Sequence, residues 1–413
     1  GNTVIVVEHD EDIMRNAENL IDIGPQAGTL GGKLLYQGKY DGIHHCEDSL
    51  TGKYLTGAEE IAVPVLRRKS THYIELEDVT ANNLKHVTCK FPLEAFTAVT
   101  GVSGSGKTTL IKQVLFPAMS RELGLFTTTK PGKFKKISGS LSLVKSIELV
   151  DQNPIGKSSR SNPITYLKAF DEIRDLFSRT PLSTRRNYKP GFFSFNVEGG
   201  RCEACQGEGV ITVSMQFMAD VQLTCEACKG TRYKDEALEV LYHGKSIADV
   251  LNMDLQTLHD FFDAIGEKKE RSIARTIAPL LQVGLGYLKA GQSSSTLSGG
   301  EAQRIKLAYF LSKGSHQSPT LFLFDEPTTG LHFYDIEQLL IALYGLLDLG
   351  HSVVIIEHNL DVIARADYVI DLGPEGGDMG GQVVFEGSPE ALSHQTDNYT
   401  GEALRRMRLL NPI

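Results

Sequence analysis

One run of glycines restricts the fold of this chain more than any other feature of its sequence. Residues 96–116 read FTAVTGVSGSGKTTLIKQVLF, so a β-rich run leads into a glycine loop and then into a helix-like run. Glycines let such a loop curl until its amides point inward, where they bind phosphate oxygens together with the N-terminus of the next helix. The spacing Gly-x-x-x-x-Gly-Lys-Thr in this context predicts a phosphate-binding loop in an α/β domain. A flexible Gly/Ser loop is the alternative, and the adjoining Lys-Thr argues against it.

The residues of this loop predict a site for ATP or ADP with Mg²⁺. Lys107 is expected to reach the β- and γ-phosphates, and the Thr108 hydroxyl is expected to ligate Mg²⁺. The predicted nucleotide-binding residues of the loop are Gly101, Ser103, Gly104, Ser105, Gly106, Lys107, Thr108 and Thr109.

A pair of acidic residues after an apolar run supports a nucleotide site. Residues 320–332 read TLFLFDEPTTGLH, which predicts a buried strand ending at Asp325 and Glu326. Asp325 is expected to hold Mg²⁺ through water, and Glu326 is expected to act as the general base for the attacking water. Turn chemistry at a strand end is the alternative, and the phosphate loop in the same chain makes it the weaker one.

The chain also contains an internal repeat. Residues 4–13 read VIVVEHDEDI and residues 353–362 read VVIIEHNLDV, and the match continues without gaps between 20–38 and 369–387. Such a repeat predicts two homologous units, and we expect the first to begin upstream of residue 1. Two unrelated buried strands are the alternative. The identical pairs at one constant offset are Glu8/Glu357, His9/His358, Asp22/Asp371, Gly24/Gly373, Pro25/Pro374, Gly28/Gly377, Gly31/Gly380, Gly32/Gly381 and Gly38/Gly387.

Charge is distributed unevenly along the chain. The formal net charge is −9, yet residues 130–235 contain 17 Lys and Arg against 11 Asp and Glu, an excess of +6 that leaves −15 for the remainder. This balance disfavours a protein that grips nucleic acid with its whole surface, whereas the basic stretch is a candidate for phosphate contacts. A solvated surface loop is the alternative.

No membrane or export signal is readable in the sequence. No apolar run approaches the length of a membrane span, and the first residues lack a basic segment followed by an apolar one. We therefore expect a cytoplasmic chain with no membrane partner.

Four of the six cysteines form two Cys-x-x-Cys pairs. Cys202 and Cys205 are followed, after 19 residues, by Cys225 and Cys228. Four thiolates at this spacing fit a tetrahedral structural zinc site. The alternating residues 210–223 between the pairs predict a β-hairpin whose ends the metal pins. A redox pair, an iron–sulfur cluster and two disulfides are the alternatives.

A third motif carries a resemblance. Residues 296–304 read TLSGGEAQR and precede an apolar helix-like run. With the phosphate loop and the acidic pair, they resemble the ABC ATPase superfamily, in which two nucleotide domains meet head to tail and the signature of one covers the γ-phosphate bound by the other. The resemblance implies roles for the signature residues Ser298, Gly299 and Gly300, the Q-loop Gln152, the D-loop residues 330–332 and the switch histidine His358. Gln152 is further implied as a Mg²⁺ ligand beside Thr108 and Asp325.

Longer motifs resemble the UvrA family, the damage-sensing ATPases that form the A subunit of the bacterial UvrABC excinuclease of nucleotide excision repair. The resemblance covers essentially all of the chain. It implies ATP hydrolysis at a composite ABC site coupled to recognition of damaged double-stranded DNA. It also implies a UvrB-type repair protein and a second copy of the chain, as a homodimer, for partners, and no nuclease activity of its own. The motifs are SLTGKYLTG (49–57), VTGVSGSGKTTLI (99–111), DQNPIGKSSRSNPITY (151–166), CEACKGTRY (225–233) and LFDEPTTGLHFYDI (323–336).

The same resemblance implies five segments. Residues 1–40 are expected to be the tail of a first ABC nucleotide-binding domain, and residues 41–74 a connector. Residues 75–150 and 285–413 are expected to form a second such domain. Residues 151–284 are expected to be an inserted signature and zinc-hairpin region that interacts with DNA.

The expected fold class is therefore α/β: a P-loop ABC-type ATPase domain with an inserted signature region and a zinc module of four cysteines. We expect strands near 96–100, 320–324 and 352–357, an amphipathic helix over 332–350 and a β-rich arm near 60–93.

Contacts with DNA phosphates are expected from a cluster of cations in the inserted region. Affinity that rests on such contacts falls as salt rises. Because the family recognises lesions without regard to base identity, the resemblance implies that duplex distortion is read. For each candidate an ordinary surface charge is the alternative. The candidates are Arg160, Arg185, Arg186, Lys189, Arg201, Lys229 and Arg232.

Other functions remain open at this point. They are the ATPase subunit of an ABC transporter, a UvrA-like drug-resistance paralogue, a zinc-binding chaperone module and a DNA-structural protein with vestigial ATPase motifs. Residues 202–209 resemble half of a DnaJ-type zinc module, although the second cysteine pair lacks the final glycine. The intact phosphate-loop lysine, acidic pair and switch histidine argue against vestigial motifs.

Overall fold

The structure is a computed structural model that describes residues 2–25, 28, 31–127, 129–156, 160–213, 215, 221–314 and 318–407. It divides into two compact units. The first unit comprises residues 1–152 and 313–413, and the second unit comprises residues 153–312. No helix within the described ranges is both long enough and apolar enough to cross a membrane.

The strands are β1 (Leu20–Gly24), β2 (Lys33–Gly38), β3 (Tyr73–Val79), β4 (Val87–Pro92), β5 (Phe96–Gly101), β6 (Lys136–Gly139), β7 (Ser146–Val150), β8 (Val210–Val213), β9 (Val221–Thr224), β10 (Thr320–Asp325), β11 (Ser352–Ile356), β12 (Tyr368–Gly373) and β13 (Gln382–Gly387).

The α-helices are α1 (Glu11–Asn16), α2 (Leu50–Thr56), α3 (Phe116–Glu122), α4 (Pro163–Tyr166), α5 (Ala169–Ser178), α6 (Pro181–Arg186), α7 (Asp235–Leu238), α8 (Ile247–Asn252), α9 (Leu255–Ile265), α10 (Lys268–Gln282), α11 (Gly299–Ser312), α12 (Phe333–Asp348), α13 (Leu360–Ile363), α14 (Pro389–Ser393) and α15 (Tyr399–Arg406). A π-helical run at Thr109–Leu115 leads into α3.

A six-stranded sheet forms the centre of the first unit. Its strand order is β13-β12-β5-β11-β10-β7. Strand β13 pairs with β12 antiparallel, and the other four pairings are parallel. Every residue of β11 is buried, as are all but the last residues of β5 and β10, which is typical of parallel strands covered on both faces. The predicted strands at 96–100, 320–324 and 352–357 are confirmed.

Helix α12 confirms the helix predicted over 332–350. It begins after His332, whose Nδ1 accepts the N–H of Tyr334 as an N-cap. Leu339, Leu343 and Leu346 lie on its buried face, at the spacing that an amphipathic helix requires. Gly350 follows the helix with a φ of 82°, a left-handed conformation that favours glycine and ends the helix before β11.

A three-stranded antiparallel sheet of order β4-β3-β6 lies in the same unit. Ile74, Leu76 and Phe91 of this sheet are buried in one core with Leu110 and Ile111, which follow the phosphate loop. The β-rich arm predicted near 60–93 is therefore confirmed for β3 and β4, whereas residues 57–72 form no strand.

Both copies of the internal repeat fold into the same hairpin. In the first copy β1 pairs with β2 antiparallel, and the register shifts just after Asp22. In the second copy β12 pairs with β13 antiparallel, and the register shifts just after Asp371. The equivalent positions of the two irregularities show that the repeat is structural as well as sequential.

The repeat extends further along the chain than the hairpins. Ser49 and Thr51, at the start of α2, donate hydrogen bonds of 2.6 and 3.0 Å to the aspartate of the first copy. At the same offset, Asn398 and Thr400 at the start of α15 donate hydrogen bonds of 2.7 and 2.9 Å to the aspartate of the second copy. In each copy the hairpin is thus tied to the N-terminus of a following helix.

The two copies differ in the environment of their apolar residues. Val353–Ile356 belong to the buried β11. The equivalent Val4, Ile5, Val6 and Val7 form no strand and are between 59% and 90% exposed. Among the described residues, the apolar phrase is therefore a central strand at 353–356, where β5 and β10 flank it.

The described part of the second unit is mostly helical. Helix α10 packs against α9, α11 and α5, and the Phe170 and Phe195 rings stack at 5.2 Å. Strands β8 and β9 form an antiparallel hairpin, which confirms the hairpin predicted over 210–223 in its described strands. Residues 214 and 216–220 of that prediction lie outside the described residues.

The five predicted domain segments stay a prediction. The compact units divide the chain at 152/153 and 312/313, so residues 285–312 are grouped with the inserted region and not with the nucleotide-binding domain. The reason is local packing, since α11 lies against α10.

Candidate nucleotide site and metal centre

The phosphate loop joins β5 to the helical run that follows it. Gly101, Gly104 and Gly106 have φ angles of 124°, 77° and 105°. Gly101 must also lack a side chain, because a Cβ atom there would collide with the carbonyl oxygen of Leu372 in β12. The loop therefore passes closer to the neighbouring strand than any residue with a side chain allows.

Lys107 is folded back into the loop. The residue is 5% exposed, and its Nζ donates hydrogen bonds to the carbonyl oxygens of Gly101 at 2.8 Å and Val102 at 2.9 Å. Burial lowers the pKa of the ammonium, and the Glu326 carboxylate opposes that shift. A bound triphosphate would replace the two carbonyl acceptors with phosphate oxygens.

A second glycine-rich loop lies against the first. Residues 373–381 read GPEGGDMGG, and the N–H of Gly377 donates to the carbonyl oxygen of Gly104 at 3.0 Å. The Asn83 amide donates to the carbonyl oxygens of Gly104 at 2.9 Å and Gly377 at 3.2 Å. Gly381 has a φ of 81°, and a Cβ atom there would collide with the Asn83 carbonyl oxygen. The two loops are thus held together backbone to backbone.

Glu326 directly follows β10 and contacts His358, the predicted switch histidine. Its φ is 45°, a left-handed conformation that is uncommon for a residue other than glycine. Its Oε1 lies 3.3 Å from Nε2 of His358. The backbone N–H of Glu326 donates to the carbonyl oxygen of Ile356 at 3.0 Å. The carbonyl oxygen of Glu326 accepts a 3.3 Å hydrogen bond from the side-chain amide of Gln152. The structure brings these predicted catalytic residues together, and their roles stay predictions.

The residues predicted to hold Mg²⁺ offer a carboxylate, a hydroxyl and an amide oxygen, which are ligand types that fit this ion. Thr108 is exposed at the start of the helical run. Asp325, however, is already engaged, because its Oδ2 lies 2.5 Å from Nζ of Lys112 and both side chains are less than a third exposed. A bound ion would have to share this carboxylate with Lys112 or displace the lysine.

The signature residues begin α11 in the second unit. Ser298 Oγ accepts the N–H of Glu301 at 3.2 Å, and the Glu301 carboxylate accepts the N–H of Ser298 at 2.8 Å, which is a reciprocal capping box. The Tyr287 hydroxyl donates to the same carboxylate at 2.7 Å. The first amides of a helix have no carbonyl partner within it, so an anion is well accommodated at Gly299 and Gly300.

The four paired cysteines form one buried cluster. All four Sγ atoms lie within 4.8 Å of one another, with Cys202 and Cys225 at 4.0 Å and Cys205 and Cys228 at 3.6 Å. Zinc–sulfur bonds of about 2.3 Å in a tetrahedron place the sulfurs about 3.8 Å apart, so zinc fits. All are free thiols, and these separations far exceed the ~2.05 Å of a disulfide.

Burial and backbone amides act on the cluster thiols in opposite directions, and burial raises the pKa of Cys205 and Cys228. The N–H of Gly209 donates to Sγ of Cys205 at 3.2 Å, and hydrogen bonding from the N–H of Cys228 lowers the pKa of Cys225 to about 7. The chain also closes on itself here, since the N–H of Cys202 donates to the carbonyl oxygen of Arg232 and that of Cys225 to the carbonyl oxygen of Gly209. Bound zinc would supply a structural crosslink at the base of the β8–β9 hairpin.

The predicted DNA-contact residues differ in exposure. Arg185, Arg186, Lys189 and Lys229 are exposed, whereas Arg160 and Arg201 are half-buried beside carboxylates. The guanidinium of Arg232 packs over the Phe195 ring at 5.4 Å, and burial lowers its pKa. Arg232 therefore packs within the second unit, which makes it the weakest of the seven candidates.

Sequence reasoning missed residues that hold the site together. Glu357, Asp371 and Asn83 contact the loops of the site, yet none was given a function. The signal for the first two was present, because Glu8/Glu357 and Asp22/Asp371 are identical pairs of the repeat. Nothing in the sequence pointed to the ion pair of Lys112, since it depends on how β10 and the helical run meet.

Zinc binding by the cysteine cluster is testable by substitution. We expect about one zinc per chain, and we expect Cys225→Ser to lose it because three thiolates cannot complete the tetrahedron. Cys46→Ser is the matched control, since Cys46 is a free thiol far from the cluster in sequence. Elemental analysis of the purified proteins measures the outcome. Retention of zinc by Cys225→Ser, or a zinc-free parent, contradicts the assignment.

Comparison with curated proteins finds relatives named UvrABC system protein A. The chain is 52% identical over 407 residues to UvrABC system protein A of Clostridium perfringens, a match that covers 98% of the chain and 42% of that protein. UvrABC system protein A of Thermus thermophilus is also 52% identical, over 408 residues, 98% of the chain and 42% of that protein. The chain thus spans less than half the length of these curated relatives. No family model matches it.

The fold agrees with these relatives. The crystal structure of UvrA2 from Deinococcus radiodurans superposes on 98% of the chain and 48% of its own, with a TM-score of 0.91 and 44% sequence identity. Sequence identity near one half and structural agreement over the same residues are explained by common descent. Over the residues that match, the chain belongs to the UvrA family.

Proposed function

We propose that this protein hydrolyses ATP and binds damaged double-stranded DNA in nucleotide excision repair. The observation that carries the proposal is the meeting of Glu326 and His358, 3.3 Å apart, at the sheet edge that also bears the phosphate loop. The name UvrABC system protein A, shared by relatives 52% identical over 98% of the chain, supports the repair context. The same name disfavours an ABC transporter subunit.

In the proposed reaction, Lys107 and the amides of the phosphate loop bind the β- and γ-phosphates. A water oxygen attacks the γ-phosphorus, and the bond from that phosphorus to the β–γ bridging oxygen breaks. The water proton passes to the Glu326 carboxylate, and ADP and inorganic phosphate leave. His358 orients Glu326 and hydrogen-bonds the γ-phosphate. Mg²⁺ held by Thr108, Gln152 and Asp325 would neutralise phosphate charge.

The signature is proposed to act on a second nucleotide domain. Ser298, Gly299 and Gly300 would bind the γ-phosphate held by that domain, which the anion-compatible start of α11 supports. We therefore propose a head-to-tail homodimer. ATP would favour closure of the two halves only through its higher affinity for the closed state.

DNA contact is assigned to the second unit. The exposed cations of the basic stretch and the cysteine-pinned hairpin support phosphate contacts without base reading. A UvrB-type repair protein is the proposed partner, on the strength of the UvrABC name alone.

Lys107→Ala tests the nucleotide site. Loss of the buried ammonium is expected to abolish ATP binding, measured by calorimetry, while the zinc content of the second unit stays at its parental value. The parent's hydrolysis rate per chain should rise with protein concentration, because the composite site needs two domains. Parental affinity in Lys107→Ala contradicts the site, and a rate independent of concentration contradicts the homodimer.

Lys112→Met tests the Mg²⁺ site. Removing the ammonium frees the Asp325 carboxylate, and a partly exposed ion pair is worth roughly 0.5–1 kcal/mol, so the Mg²⁺ concentration for half-maximal ATP binding should fall about two- to fivefold. Lys112→Arg keeps the pair and should behave as the parent. An unchanged or raised Mg²⁺ requirement in Lys112→Met argues that Asp325 does not serve the ion.

Charge removal in the second unit tests DNA binding. The triple change Arg185→Gln, Lys189→Gln and Lys229→Gln should weaken duplex binding and reduce the slope of log affinity against log salt by up to about three. Fluorescence titration at several salt concentrations measures both. The control replaces an equal number of exposed cations of the first unit by Gln: Lys33, Lys39 and Arg121. Equal losses in the two triple variants would remove the second unit from the DNA interface.

A further inference from the structure

Glu357 is buried between the two loops that carry the site. The residue is 2% exposed and follows β11 directly. Its Oε1 accepts hydrogen bonds from the N–H of Thr328 at 3.0 Å and from the Thr328 hydroxyl at 2.6 Å. Its Oε2 accepts from the N–H of His358 at 2.8 Å and the N–H of Asn359 at 3.0 Å. One carboxylate therefore spans the loop after β10 and the loop after β11.

These two loops carry Glu326 and His358, and the proposed hydrolysis depends on the distance between these two side chains. Glu326 precedes Thr328 by two residues. The backbone N–H of His358 donates a hydrogen bond to the Glu357 carboxylate. Glu326 has a φ of 45°, and a side-chain-bearing residue keeps such a conformation only where its surroundings fix it. Thr328, clamped at both its N–H and its hydroxyl, supplies that restraint two residues downstream.

The carboxylate is held by hydrogen-bond donors alone. No ion pair of Glu357 occurs among the residues that the structure describes. Burial raises its pKa, and the four donors oppose that shift. A buried carboxylate without a cation is costly and persists only with its acceptor sites filled, so its geometry is fixed by the four donors.

The internal repeat provides a comparison within the same chain. Glu8 occupies the position of Glu357 in the first copy, but it is exposed and accepts only the N–H of the adjacent His9, at 3.2 Å. No loop equivalent to that of Thr328 reaches it among the described residues. The identity of the residue is therefore shared by the two copies, and among the described residues the bridge is seen at Glu357.

We propose that Glu357 is a positioning residue that sets the distance between Glu326 and His358 by bridging their loops through Thr328. The proposal rests on the proposed ATP hydrolysis. Glu357 does not touch the reacting atoms; it acts through the backbone on either side.

Glu357→Gln is the decisive variant because it preserves shape and removes half of the acceptors. Whichever way the amide turns, its NH₂ group faces at least one backbone N–H that previously donated to the carboxylate. We expect kcat for ATP hydrolysis to fall by about 10- to 100-fold, as misplaced catalytic groups do, while KM for ATP and nucleotide affinity stay within about twofold. Glu122→Gln is the matched control, because Glu122 is an exposed glutamate of α3 outside the site, and it should leave both parameters unchanged.

Thr328 tests the other end of the bridge. Thr328→Val keeps the backbone N–H and loses the hydroxyl, so kcat should fall, and Thr328→Ser should restore it. Because both ends serve one bridge, the double variant Glu357→Gln, Thr328→Val should lose less than the product of the single losses. An unchanged kcat in Glu357→Gln overturns the proposal. Equal losses of kcat and nucleotide affinity reduce Glu357 to a folding role.

Hydrogen exchange separates this proposal from the proposed function. Amides in residues 326–330 and 357–360 should exchange faster in Glu357→Gln than in Glu122→Gln, whether or not ATP is hydrolysed. Faster exchange with no hydrolysis by the parent would sink the ATPase proposal and leave the bridge as a structural link. Unchanged exchange would show that the bridge does not hold the loops.

Discussion

The site depends on parallel strands that end at one edge of a buried sheet. The carboxyl ends of β5, β10 and β11 meet there, as they must when neighbouring strands run in the same direction. Segments far apart in the chain, namely the phosphate loop, the Asp325–Glu326 pair and the Glu357–His358 pair, are thus brought together. Because these strands are buried on both faces, a shift of one residue would move both a core side chain and a site residue, so packing and chemistry fix the same register.

The repeat separates what a sequence encodes locally from what its neighbours impose. Both copies form the same hairpin, the same irregularity after an aspartate and the same ties to a following helix. Local hydrogen bonds are sufficient for these features, since donors and acceptors all lie within the repeated segment. The apolar phrase behaves differently: it is a central strand at 353–356 and exposed chain at 4–7. At 353–356 the strands β5 and β10 supply its hydrogen-bond partners, whereas no strand among the described residues pairs with 4–7.

Features that depend on local sequence were predicted correctly, whereas features that depend on contacts between distant segments were not. The phosphate loop, the buried strands, helix α12 and the hairpin between the cysteine pairs were predictable because each is encoded by spacing along the chain. The bridge of Glu357, the Lys112–Asp325 pair and the contact of Asn83 with two glycine loops were not, because each joins segments that only the fold makes adjacent. Residues 285–312 are grouped with the second unit through the packing of α11 against α10, a contact between elements that spacing along the chain does not encode.

Two buried carboxylates, Glu357 and Asp371, fix the positions of the loops at this edge of the sheet. Their contribution to the net free energy of folding is smaller than their effect on geometry. Each is at most 3% exposed. Asp371 accepts from the Thr100 hydroxyl at 2.5 Å as well as from Asn398 and Thr400. A buried charge costs several kcal/mol, and hydrogen bonds to charged groups return about 1.5–3 kcal/mol each, so three or four bonds roughly offset the cost. The hydrogen bonds therefore act mainly by fixing the orientation of the two carboxylates and of their donors. Asp22 keeps equivalent donors in the first copy because they lie within the repeat. The partner of Glu357 on the other loop, Thr328, follows β10 and lies outside the repeated segment, so this bridge depends on the pairing of β10 with β11.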